Sequence, residues 1–201
     1  MREEGVRARQ RAQTRRTLLR EGRRAFAGDG YAGVGLAEIV RAAGVTKGAF
    51  YHHFPSKTEL FHAVLEEVQQ EVGRRVAAAA DAEDDPWDQL IAGCGEFLAA
   101  ATDPELQRIM LVDGPAVLGW AEWRAMDEAA SVRHLADALT ALIDAGRITP
   151  QPVAPLVHLL SGAMNEAALW LATTEGSGEG SGQLARTREA LTTLLGALRT
   201  D

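Results

Sequence analysis

Between Thr46 and His53 the chain gathers side chains that can donate hydrogen bonds: Lys47, Tyr51, His52 and His53, with Gly48 and Ala49 among them. A lysine can donate to the acceptors on the edge of guanine. Tyrosine and histidine can donate to phosphate oxygens. The two small residues allow close approach to a partner. Thr46 is placed to cap the helix these residues begin. Lys57 starts the next helix, where its ammonium adds to the positive end of the dipole and makes a second phosphate site. Adjacent histidines raise the question of metal. Neighbours on a helix point about 100° apart, so His52 and His53 are poorly placed to share one ion, and no metal is expected.

Other chemistries leave little trace. The sequence has no Gly-x-Gly-x-x-Gly after a strand, no phosphate-loop lysine, no Gly-x-Ser-x-Gly and no metal-ligand cluster. Neither an enzyme nor a cofactor is expected. The single cysteine, Cys94, lies in an apolar helical pattern and reads as a buried structural thiol. No apolar run approaches the roughly 20 residues that span a bilayer. The basic start, MREEGVRARQRAQTRR, lacks the apolar stretch of a secretory signal. A cytoplasmic protein is expected.

The net charge of -7 conceals an asymmetry. Residues 1–57 carry 12 Lys/Arg against 5 Asp/Glu, and residues 58–201 carry 9 against 23. A basic head on an acidic body suggests that one end meets a polyanion.

The elements that hold these side chains all read as helix. A first helix runs from about Gln10 to Gly28, stopped by Asp29-Gly30. Leu36, Ile39, Val40 and Ala43 mark a short second helix ended by Gly44, with Gly35 at its cap. Thr46 to His53 forms a third, closed by Pro55. Ile39, Val40, Val45, Phe50 and Phe54 make a small core, with Tyr51 off that face. Two short helices joined by a glycine turn are a helix-turn-helix.

Ser56 and Glu59 form a capping box for a long helix that closes near residues 77–86. Pro86 and Pro104 can each open a helix. Gly114-Pro115 should break the chain. Trp120, Trp123, Met126 and Ala130 recur at helical spacing, and Ser131 to Ala145 forms another helix stopped by Gly146. A long stripe from Val153 to Leu171 follows. Residues 174–182 read as a loop, and Leu184 to Leu198 as a last amphipathic helix. No strand pattern occurs.

Roughly residues 12–65 resemble the DNA-binding head of the TetR (tetracycline-repressor-like) family of bacterial regulators. The likeness rests on Gly30-Tyr31, Glu38-Ile39, Ala43-Gly44-Val45, Lys47-Gly48-Ala49-Phe50-Tyr51-His52-His53-Phe54, Ser56-Lys57 and Leu60. It implies an all-α protein. A three-helix DNA-binding domain (residues 1–60) precedes a helical effector-binding and dimerisation domain (residues 61–201). It implies a homodimer on double-stranded, near-palindromic operator DNA, acting as a repressor that a small molecule releases. By position, Lys47, Gly48 and His52 would approach bases, and Tyr51, His53 and Lys57 would hold phosphates, with Thr46 within reach of one. Ala49 lies in the same interface. Where the family usually has Thr or Ser capping the second helix, this chain has Gly35, which removes one side-chain contact to phosphate. Arg7, Arg9, Arg11, Arg15 and Arg16 form an arm for which two readings stand, an extension along the DNA or a disordered tail.

In the body, the last two long helices are expected to form the dimer interface. An effector cavity is expected among Phe97, Met110, Leu111, Trp120, Trp123, Met126 and Trp170. His158 and Glu166, with Asp113, His134 and Asn165, could add polar orientation.

Overall fold

The structure, a computed structural model, describes residues 2–174 and 180–200. Helix α1 (Arg2–Gly33) extends beyond the expected span at both ends. Apart from Gly5, its arginine-, glutamine- and alanine-rich start is built largely of good helix formers, and the basic arm is the first half of α1 rather than a disordered tail. The expected stop is present as a kink, with Gly30 at φ 73°. That left-handed backbone is what calls for glycine; an added β-carbon would also meet the Arg108 guanidinium, the flexible end of a side chain that can move aside.

Helices α2 (Leu36–Ala42) and α3 (Lys47–Tyr51) flank a turn in which Gly44 has φ 66°. Helix α3 is shorter than the expected Thr46–His53. Thr46 caps it, and the chain leaves helical hydrogen bonding before Pro55. Ile39, Phe50 and Phe54 are buried with Phe26, Leu60 and Phe61 in the core of the head. Phe26, Tyr31 and Phe61 pack as an aromatic trio with centroids 5.2–5.8 Å apart.

Helix α4 (Lys57–Asp81) starts where Ser56 Oγ accepts from the Glu59 N–H at 3.1 Å. Its first turns finish the head and its last turns line the body, so one continuous helix joins the two. Helix α5 (Pro86–Ala101) packs along it. Pro86 and Pro104 open α5 and α6 (Pro104–Gln107) as the sequence suggests, with Asp85 and Asp103 as caps.

Gly114-Pro115 does not break the chain. Residues Arg108–Asp113 wind as a π-helix that runs straight into α7 (Gly114–Leu118). Proline is tolerated in a first turn, where its missing N–H has no role. The break falls instead at Gly119, with φ 83°. Helix α8 (Trp120–Asp127) passes through a second π segment, Glu128–Val132, into α9 (Arg133–Asp144), which Gly146 stops at φ 69°. Helix α10 (Val153–Thr174) carries the long apolar stripe, and α11 (Gly180–Gly196) packs on α5 and α10. The expected loop at 174–182 is thus entered by helix from both sides, and its residues 175–179 lie outside the described residues. An isolated antiparallel bridge pairs Ile148 with Arg199, a contact no strand pattern announced. Among the described residues no helix is long and apolar enough to cross a membrane.

Candidate nucleic-acid interface and body cavities

Helix α3 presents its polar side outward because its apolar side is fixed. Phe50 is fully buried and Phe54 nearly so, leaving Thr46, Lys47, Gly48, Tyr51 and His52 exposed on one surface. Thr46 Oγ1 accepts from the Ala49 N–H at 3.1 Å, fixing the first turn. Tyr51 lies edge-on to Phe50 at 5.4 Å and is about half exposed. His53 is half-buried. Desolvation, then Arg11, Arg15 and His52, hold its pKa below the ordinary histidine range. Arg15 stacks over the Phe54 ring at 4.5 Å, so α1 brings the basic arm against the end of α3.

Gly35 caps α2 without a side chain. Glu38 compensates in part, its carboxylate accepting from the Gly35 N–H at 2.9 Å. Lys57 is placed at the start of α4 as expected, but its ammonium donates to the carbonyls of Tyr31 (2.8 Å) and Val34 (2.9 Å) and lies 4.0 Å from the Tyr31 ring centroid. Two of its three N–H groups are thus spent within the protein, which fixes the ammonium at the start of α4.

The head is tied to the body at two places. Arg23 bridges Glu71 and Glu105, both at 2.6 Å. Asp113, expected beside a cavity, instead accepts from the Tyr31 N–H at 2.8 Å, and Arg108 reaches the Gly28 carbonyl.

The residues expected to line one cavity are divided between two. Phe97 and His134 line a cavity of about 310 Å³ between α4, α5, α9 and α10, with Asp127 on its wall. Leu111, Trp120, Trp123, His158 and Glu166 border another, of about 340 Å³, between α8 and α10. Arg124 stands between them, donating to Asp127 (3.1 Å) and Ser161 (2.9 Å). Met110 is core, its carbonyl accepting from the Trp123 indole N–H at 2.7 Å. Met126 and Trp170 border neither cavity. Cys94, on the wall of the first, has its thiol pushed up to about 12 by burial, which suits a structural role. Sequence reasoning missed Asp127 and Ser161, which lie outside the Trp and Met pattern it followed.

Comparisons with known proteins agree with this architecture. The family described as "Bacterial regulatory proteins, tetR family" matches residues 18–64, and "Tetracyclin repressor-like, C-terminal domain" matches residues 87–198. The HTH-type transcriptional regulator CymR of Pseudomonas putida is 39% identical over 71 residues, covering 34% of this chain and 35% of that protein. The HTH-type transcriptional repressor Rv1474c of Mycobacterium tuberculosis is 33% identical over 126 residues, 62% of this chain and 65% of its own. The matches thus span about a third and just under two thirds of these curated relatives. The crystal structure of a TetR-family transcriptional regulator from Pectobacterium atrosepticum superposes with a TM-score of 0.80 at 33% identity, covering 96% of this chain and 97% of that one. A helix-turn-helix head, an all-helical body and family matches to both halves lead to one conclusion: the chain belongs to the TetR family of transcriptional regulators.

Proposed function

We propose that the protein is a homodimeric repressor that reads a near-palindromic operator with α3 and leaves it when a small molecule enters the body. The observation that carries the reading is the outer surface of α3. Thr46, Lys47, Gly48, Ala49, Tyr51 and His52 surround a helix whose buried side is fixed by Phe50. Lys47 and His52 face base edges across Gly48, while Tyr51, His53, Thr46 and the charge of Lys57 take phosphates. Residues 1–60 act as the head and residues 61–201 as the effector and dimer domain, with α4 shared between them. A protein of this kind works beside the chromosome, in the cytoplasm, and has no catalytic role.

Two heads about 34–36 Å apart would sit in successive major grooves. The surface of α10 and α11 supports a dimer. Leu159 is 73% exposed and Leu194 53% exposed, beside exposed Gly162, Ala163 and Ala190 that let helices approach closely. An effector would act through α4 and the Tyr31–Asp113 contact, favouring a head separation that fits the operator less well.

Selection of bound sequences from a random DNA pool with the full-length protein tests the reading. A near-palindrome with half-sites one helical repeat apart is expected. Recovery of no sequence preference would reduce the basic head to a general anchor and overturn the proposal.

A further inference from the structure

The cavity between α4, α5, α9 and α10 has a one-sided charge. Val76, Leu90, Phe97, Leu135 and Met164 give it apolar walls. Apart from the Cys94 thiol, its ionisable lining among the described residues is Asp81, Asp127, Asp137 and His134, with no lysine or arginine. Asp81 and Asp137 are exposed, so water screens them. Asp127 differs, being 3% exposed. A carboxylate taken out of water needs a nearby positive charge and hydrogen bonds. Arg124 supplies the charge at 3.1 Å, but the same guanidinium also pairs with Glu128 at 3.4 Å. Two carboxylates therefore share one cation, which stands between this cavity and its neighbour. Burial keeps the Asp127 carboxyl above its ordinary pKa despite Arg124 and a hydrogen bond with Asn165, so its charge is incompletely compensated.

We propose that this cavity binds a lipophilic cation, an apolar body of modest size carrying one ammonium-like group held by Asp127. The inference rests on the reading above that the body holds an effector, and it adds the effector's chemical class. The apolar walls take the body by the hydrophobic effect. The positive group supplies the charge that Arg124 divides between two partners. An anion would meet three carboxylates, while the nearby Arg124 is already engaged by Asp127 and Glu128, in a setting where water screens Asp127 poorly. A neutral molecule would fill the walls and leave Asp127 as it is.

Isothermal titration of the full-length protein, without DNA, tests the class with three probes sharing one body: 4-phenylbutylamine, 4-phenylbutan-1-ol and 4-phenylbutyrate at pH 7. The ammonium is expected to bind at least tenfold tighter than the alcohol, and the carboxylate weaker than both. Asp127→Asn should erase the preference for the ammonium while leaving alcohol binding in place. Should that variant fail to melt cooperatively, the exposed Asp137→Asn gives the second test and should reduce the ammonium preference by about twofold. Equal binding of all three probes, tightest binding of the carboxylate, or no binding of any at millimolar concentration each overturns the proposal. Release of labelled operator is followed separately. A protein that prefers the ammonium yet keeps its operator retains the ligand class and loses the induction mechanism. A protein that selects an operator and rejects the ammonium does the reverse.

Discussion

Gly48 separates a structural role from a DNA-reading one. A β-carbon there would meet nothing nearer than Thr46 Oγ1 at 3.9 Å, and its backbone is not left-handed. The protein itself therefore has room for alanine, which a helix prefers by up to about 1 kcal/mol. If α3 lies against base edges, the added methyl costs binding. Gly48→Ala should leave the melting temperature unchanged or slightly raised and weaken operator binding by tenfold or more, read by fluorescence anisotropy of labelled operator. Unchanged affinity would move the start of α3 away from the DNA. Gly48 could be picked out from sequence because, with Ala49, it puts small residues beside Lys47 at a fixed place in the turn-helix pattern. Lys57 was legible only as a charge at a helix start. Its partners, the carbonyls of Tyr31 and Val34, lie more than twenty residues back in the chain, and no local pattern points to them.

At the scale of elements, the sequence signals that held were those with a local cause. Ser56 caps α4, the prolines open α5 and α6, and Gly146 stops α9. The π segments had no such signal. In the first of them the Met110 carbonyl accepts from the indole of Trp123, a tertiary contact that helical periodicity does not encode. Asp85 joins the two kinds of information. As a cap it accepts from the Trp87 N–H at 2.8 Å, and as a clamp it pairs with Arg147 at 2.8 and 3.2 Å, tying the start of α5 to the turn after α9. The Arg147 hydrogen bond, then that of the Trp87 backbone, lowers its pKa to about 2. Its folded pKa lies below the unfolded one, so its contribution to stability is complete above about pH 4 and lost as pH falls through about 2. Asp85→Asn should lower the melting temperature by a constant amount from pH 5 to 7, and the gap to wild type should close between pH 4 and 2. A gap independent of pH down to 2 would remove the carboxylate's charge from the account.

At the scale of the molecule, the sequence placed an adaptable apolar site in the body but merged two cavities into one. Trp120 and Trp123 were recognisable as cavity residues, whereas Met110 went into the core and Met126 and Trp170 border neither cavity; the polar wall of Arg124, Asp127 and Ser161 depends on side chains up to 37 residues apart meeting in space. The surface proposed above for the dimer carries a plainer sequence signal, because small and apolar residues recur along α10 and α11, with Leu159, Gly162, Ala163, Ala190 and Leu194 exposed. Leu159 and Leu194 are the informative positions. Both are exposed, so replacing either by glutamate should cost the protomer little stability, within about 0.5 kcal/mol for an ordinary surface change. In a dimer built on α10 and α11, each charge would be buried in the interface without a partner, and an unpaired charge taken out of water is strongly unfavourable. Leu159→Glu and Leu194→Glu should therefore halve the mass measured by light scattering while circular dichroism stays native. Operator affinity should fall by about 100-fold or more, because the second half-site would no longer be reached from a tethered partner. A dimer that persists in both variants would place the interface elsewhere on the body. A monomer that keeps full affinity would mean that a single head reads its site alone, and head separation could then not be what an effector controls.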